Sequence, residues 1–183
     1  MNERPDRRIA KSQKAIQGAF LEMLLDTGFD SITVKDITEK ADVSRKTFYL
    51  HYVDKFDLLN TIVNDQLDEL QDICDQKKEK GFVEGTVIWF QYFEQRKAFF
   101  AALFSTESTV TFRHRLLDFI MEQLNARLEA AESGRNTEVL RKFMGMAVLG
   151  VVESYVLGQF QAGVNEIAEQ VGELLEQIIT QAE

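Results

Sequence analysis

The stretch TVKDITEKADVSRKTFYL, Thr33 to Leu50, reads as two short helices with a tight corner between them. Thr33 followed three residues later by Asp36 matches a capping box, in which a hydroxyl and a carboxylate satisfy the free amides of a helix start. A helix over roughly Val34 to Lys40 is expected to follow. Ala41-Asp42-Val43 makes the connection, and Ser44 is placed to cap a second short helix ending near Leu50. Two short helices joined by three or four residues form a helix-turn-helix. The second helix and its continuation also carry Arg45, Lys46, Tyr49, His51 and Lys55, a mixture of cations and aromatic rings that suits a partner both anionic and stackable.

Upstream, Pro5 suits a helix start, and Ile9, Ile16, Phe20, Met23 and Leu24 form an apolar stripe that runs out at Gly28. Arg4, Arg7, Lys11 and Lys14 are spaced to share one face of that helix. Downstream, Asp54 can cap a longer helix whose stripe is Leu59, Ile62, Val63, Leu67, Leu70 and Cys74. Its polar face, Asp65, Asp68, Glu69 and Asp72, is read as solvated rather than as a metal site. Five more helices are expected at about 82 to 94, 96 to 104, 108 to 131, 137 to 161 and 166 to 181, because runs of period two are absent and helical spacing prevails. The fold class is therefore all-α, with about nine helices. The helix from 137 is apolar nearly all round between Phe143 and Leu157, and burial on several sides is expected for it.

The chain has 183 residues and a net charge of -9, with 45% hydrophobic and 28% charged residues, so a packed core is within reach and wholesale disorder is not expected. Charge is unevenly spread. Residues 1–55 hold 10 Lys+Arg against 9 Asp+Glu, and residues 56–183 hold 11 against 21. Nucleic acid responds to the local face presented to it rather than to the total, and only the first third can present one. A single cysteine, Cys74, excludes an internal disulfide framework and fits a reducing compartment. The charged start of the chain argues against a secretory signal, and the longest uncharged apolar run, Phe143 to Val152, falls short of the roughly 20 residues a membrane span requires. A cytoplasmic protein with no membrane partner is expected.

Catalysis finds little support. His51 and His114 are far apart in sequence, Cys74 is alone, and neither a Gly-rich phosphate loop, an HExxH pair nor a Glu-x-x-His pairing of the di-iron kind occurs. No metal and no cofactor are expected, and the protein is read as not an enzyme; a helical enzyme is the competing class and a helical adaptor that binds only proteins the third.

Gly28, Thr33, Ile37, Ala41, Val43, Ser44, Thr47, Tyr49, Tyr52, Lys55 and Leu58 together carry a resemblance. Over about residues 10 to 58 the chain resembles the TetR family of bacterial transcriptional regulators. Asp42 stands where that family favours glycine and Thr38 where it favours alanine; Asp tolerates left-handed turn geometry better than most residues, so the turn should survive. The resemblance implies a helix-turn-helix DNA-binding domain over residues 1–53 and a larger helical effector-binding and dimerisation domain over 54–183. It implies double-stranded DNA as a partner, Thr33 and Lys55 as phosphate contacts, and Lys46, Thr47 and Tyr49 as groove-facing residues. With Lys35, Ser44, Arg45 and His51 these make up the expected DNA-binding set.

Eight of the fourteen phenylalanines lie between Phe82 and Phe119, with Trp89 and Tyr92 among them. Such a core can admit a small apolar or aromatic effector, and Trp89, Phe93, Phe100, Phe104 and Phe119 are the pocket candidates. Arg113, His114 and Arg115 are consecutive and cannot all share a helix face. The resemblance also implies that the last two helices pair with their copies in a homodimer. Phe160, Val171, Leu174, Leu175 and Ile178 are the expected interface, since the apolar stripe from Ile167 to Ile179 needs a cover that a two-fold partner supplies. The expected function is a ligand-responsive regulator that represses from a palindromic operator, with activation as the alternative sign.

Overall fold

The first two helices end where the sequence supplies a stop. In the computed structural model, which describes residues 3–76, 80–106, 109–128 and 137–180 and within them every side chain except those of residues 3–7, 126–128 and 137, the first helix, α1, runs Glu3–Thr27. It closes at Gly28, whose φ of 76° only glycine adopts at no steric cost. A single 3-10 turn, Phe29–Ser31, leads to α2, Val34–Lys40, and α3, Arg45–Tyr49, follows after a four-residue corner.

That corner is a complete Schellman motif with aspartate in the left-handed position. Asp42 takes φ 52°, its N–H donates to the Glu39 carbonyl at 3.3 Å, and the Val43 N–H reaches back to the Thr38 carbonyl at 3.0 Å. The expectation that Asp42 could replace a turn glycine therefore agrees with the geometry. Thr38 is buried, its hydroxyl donating to the Lys35 carbonyl at 2.9 Å, so an extra polar atom enters the core already partnered. Ile16, Phe20, Leu24, Phe29, Ile32, Ile37, Phe48, Tyr52 and Leu58 are the buried apolar side chains around it.

The long helix α4, Lys55–Gln76, starts on the Asp54 cap, whose Oδ1 accepts from the amides of Phe56 at 2.8 Å and Asp57 at 2.9 Å. The chain forms two compact units, Met1–Gln66 and Leu67–Glu183, and the division falls inside α4 rather than after residue 53. Leu58, Leu59, Ile62 and Val63 in the first turns of α4 are buried residues of the first unit, which moves the division downstream.

The second unit holds the end of α4 with α5 (Phe82–Gln95), α6 (Lys97–Phe104), α7 (Val110–Leu128), α8 (Thr137–Val156) and α9 (Val164–Thr180). Among the described residues there are nine α-helices and no strand, as the helical spacing predicts. α5 packs most extensively on α9, and α7 on α8. The α5–α9 crossing is close because Gly172 has no side chain: a Cβ there would lie 2.6 Å from the Cα of Val83. α8 is shorter than the expected 137 to 161. Gly158 adopts φ 72°, and the Gln159 and Gly158 amides cap the carbonyls of Ser154 at 2.9 Å and Tyr155 at 3.0 Å, so the helix stops at Val156 in a second Schellman motif. Glu69 on α4 accepts from Arg96 at 2.6 Å and from the Tyr92 hydroxyl at 3.1 Å, and the Arg96 guanidinium lies 4.0 Å from the Tyr92 ring centre. No described helix is long and apolar enough to cross a membrane.

Candidate nucleic-acid interface

The rotation of α3 about its axis is fixed from both ends. Ser44 Oγ accepts the Thr47 amide at 3.0 Å, which caps the start, and Phe48 is fully buried, its ring 5.6 Å from that of Tyr52. With Phe48 inward, Arg45, Lys46, Tyr49 and Leu50 are left on the outside, and all four are exposed. Among the described residues no carboxylate forms an ion pair with Arg45 or Lys46, although the chain carries net charge -9. The result is an exposed short helix bearing two unneutralised cations and a phenol.

The other expected contacts are held differently. Thr33 is exposed, and its backbone N–H and hydroxyl both donate to Asp36 Oδ2, at 3.1 and 2.6 Å, while Thr33 Oγ1 accepts the Asp36 amide at 3.2 Å. Those bonds from Thr33 hold the Asp36 carboxyl below its ordinary value. Lys35 is exposed and lies 3.8 Å from Glu39, one turn on, a loose pair in water. Ser44 and Thr47 bring their hydroxyls within 2.9 Å of each other, so one of the two is already a donor inside the cap. His51 turns inward, with Nε2 at 2.7 Å from the Ser12 hydroxyl on α1. Lys11 and Lys14 of the α1 stripe are exposed, while the Arg4 and Arg7 side chains lie outside the described set.

Lys55 departs most from the sequence reading. A cation in the first turn of a helix opposes the dipole, a placement that by sequence alone suggests an external anion. Within the unit its ammonium instead donates to the carbonyls of Phe29 (3.0 Å), Asp30 (3.2 Å) and Ile32 (2.9 Å), and it sits 4.6 Å from the Phe29 ring centre. Three carbonyls and a ring face use every donor the ammonium has, so Lys55 clamps the loop between α1 and α2 onto the start of α4.

Four of the five aromatic candidates of the second unit, Trp89, Phe93, Phe100 and Phe104, are linked in one packed chain. Trp89 meets Phe93 with ring centres at 4.7 Å, Phe93 meets Phe100 at 4.5 Å, and Phe112, which the sequence reading passed over, joins Phe100 at 5.9 Å to Phe104 at 5.2 Å. Phe93, Phe100, Phe104 and Phe119 are buried and Trp89 is half-buried. At the edge of this chain Arg113 is paired with Glu153 at 2.7 Å and donates to the Phe104 carbonyl. Tyr155 nearby donates to Glu94 at 2.5 Å, and burial together with that carboxylate pushes its phenol up to about 12.

The interface candidates divide. Val171 and Leu175 are buried within the chain, Ile178 is half-exposed, and Phe160 and Leu174 are exposed at 43% and 57%. α8 is not buried on several sides as expected: Met144, Val148 and Val152 are inside, but Val139, Phe143 and Met146 are 65%, 61% and 51% exposed. Their spacing of four and three residues makes one helical stripe, a signal present in the sequence but hidden by the apolar residues around it.

Comparisons with known proteins agree with this geometry. The chain is 40% identical over 68 residues to the uncharacterized HTH-type transcriptional regulator YxbF of Bacillus subtilis (strain 168), which covers 37% of this chain and 18% of that protein. It is 27% identical over 93 residues to the HTH-type dhaKLM operon transcriptional activator DhaS of Lactococcus lactis subsp. lactis (strain IL1403), covering 51% of this chain and 49% of that one. By sequence it thus spans less than half the length of either curated relative. The solved structure of the dihydroxyacetone kinase operon activator DhaS superposes with a TM-score of 0.71 at 20% identity, over 94% of this chain and 98% of that one. A TetR transcriptional regulator from Streptococcus agalactiae 2603V gives 0.72 at 24% identity, over 98% and 97%. These relatives are transcriptional regulators, not enzymes. Residues 18–62 match the profile of the bacterial regulatory proteins of the tetR family and residues 82–177 that of a transcriptional regulator C-terminal region of the same family, so the chain belongs to the TetR family of DNA-binding transcriptional regulators.

Proposed function

We propose that the protein is a ligand-responsive repressor that binds a palindromic operator as a homodimer. The observation that carries the reading is the exposed outer face of α3, where Arg45, Lys46 and Tyr49 stand free of carboxylates in an acidic chain. Cations of this kind reach phosphates or guanine edges, and Tyr49 offers a ring with a polar tip to the groove. Thr33, Lys35, Ser44 and Thr47 lie at helix starts, where free amides favour phosphate. Lys55 and His51 serve the site by holding loop and helix in place.

The exposed stripe of Val139, Phe143 and Met146 on α8, with Leu174 on α9, supports the homodimer, because an apolar stripe left open on a single chain is covered by a second copy at low cost. A two-fold dimer would set its recognition helices on successive major grooves, about 34 to 36 Å apart. An apolar or aromatic effector would enter by parting the Trp89–Phe93–Phe100–Phe112–Phe104 chain beside the Arg113–Glu153 pair. A ligand that favours another spacing of the two helices would change operator affinity through a coupling of roughly 1 to 3 kcal/mol.

Activation is the second reading, and the similarity to DhaS, named as an operon activator, favours it. The test is selection of sheared genomic DNA by the purified protein, followed by a reporter under the recovered site. A two-fold symmetric site that Tyr49→Ala no longer recovers supports the regulator. Reporter output that falls with the protein present supports repression, and output that rises transfers the reading to activation.

A further inference from the structure

Leu50 and Val53 are the most exposed large hydrophobic side chains among the described residues, at 75% and 77%, and Tyr49 beside them is 59% exposed. A single exposed leucine is ordinary; three such groups within five residues make a patch that asks for a cover. The patch continues the basic face of α3. Leu50 follows Lys46 by one helical turn, and its N–H donates to the Lys46 carbonyl at 3.1 Å, so the two side chains stand on the same side of the helix. Whatever accepts Lys46 therefore meets Leu50 next. With unneutralised Arg45 and Lys46 adjoining it, that partner is anionic, yet it must offer an apolar group at one point. On the major-groove edges of DNA one apolar group exists, the 5-methyl of thymine.

Resting on the DNA-binding reading above, we propose that Leu50 recognises the methyl group of a thymine at one position in each operator half-site. Phe48, buried behind the helix, and the Ser12–His51 bond, which ties the end of α3 to α1, hold Leu50 at a fixed height on that face. Leu50 thus adds a base preference of its own to the attraction that Arg45 and Lys46 supply.

The experiment uses the full-length protein and a duplex site that it selects from random DNA. Each thymine of that site is replaced by deoxyuridine, singly and in symmetric pairs, which removes the methyl and leaves base pairing unchanged. One methyl at an apolar contact corresponds to about fourfold in affinity, so a symmetric pair should lose about fifteenfold for the wild type. Leu50→Ala, an exposed position where truncation leaves the fold intact, should bind the thymine site more weakly and the deoxyuridine site within about twofold of it. Leu50→Met should keep the discrimination, and Leu25→Ala, at an exposed leucine of α1 outside the patch, should behave as wild type. A wild type indifferent to every deoxyuridine, or a Leu50→Ala that keeps the full discrimination, overturns the proposal. A wild type that selects no site overturns the DNA-binding reading itself.

Discussion

Removing the Lys55 ammonium should cost stability and leave the salt dependence of DNA binding unchanged. Its three hydrogen bonds go to the carbonyls of Phe29, Asp30 and Ile32, and two of those residues, Phe29 and Ile32, are buried. The Asp30 carbonyl can exchange its partner for water, but the other two lose a charged donor in a place that water reaches poorly. Charged hydrogen bonds contribute roughly 1.5 to 3 kcal/mol each when buried, and one partly hydrated ammonium shared among three acceptors should contribute about 2 kcal/mol in total. For a chain of this size that corresponds to a melting temperature lower by roughly 4 to 8 °C in Lys55→Met, which keeps the apolar stem over Phe29. A phosphate contact predicts something else: a slope of log affinity against log salt shallower by about 0.9 per contact, or about 1.8 in a two-fold dimer. Thermal unfolding by circular dichroism and a salt titration on the selected operator separate the two accounts, with Lys46→Ala as the surface comparison that should change the slope and not the melting. An unchanged melting temperature in Lys55→Met together with a shallower slope would refute the clamp and return Lys55 to the phosphate-binding set.

Charges placed at Phe143 and Leu174 (Phe143→Glu with Leu174→Glu) should yield folded monomers in sedimentation at concentrations where the wild type is dimeric, since both side chains are exposed on the single chain; a persisting dimer would sink the assignment. Gly172→Ala should lower stability by about 1 to 2 kcal/mol in urea unfolding, because the added Cβ meets the Val83 backbone at 2.6 Å and outweighs a helix-propensity gain of about 1 kcal/mol, whereas Gly18→Ala, with open space around it, should gain stability. The phenol of Tyr155, raised from 10 to about 12 by burial and by Glu94, favours the protonated form in the folded state. Its contribution is therefore complete below pH 10 and lost as pH rises toward 12, and Tyr155→Phe should flatten that alkaline loss of stability measured by denaturant midpoints; an equally steep loss in the variant would show that the group is not responsible.

The DNA-binding half was legible because its determinants are local. Thr33, Asp36, Asp42, Ser44 and Asp54 each act within five residues of themselves, through caps and turns whose hydrogen bonds follow from spacing alone, and every one of those caps is formed. What spacing could not convey was where the long side chains go. Lys55 spans from the start of α4 back to a loop more than twenty residues earlier, and His51 reaches Ser12 across 39 positions, so both looked like free surface groups. In the second unit the difficulty is of another kind. Phe143 and Val148 are equally apolar in the sequence, yet one is 61% exposed and the other 6%, because the choice between them is made by the rotation of α8 against α7. A helix apolar all round can satisfy two partners at once, one within its own chain and one on a copy, and only the packing of the first leaves visible which residues remain for the second. Leu50, too, owes its place to the rotation of its helix. Its exposure follows from Phe48 taking the inward place, and once α3 is fixed in that rotation an apolar side chain must follow Lys46 toward the DNA.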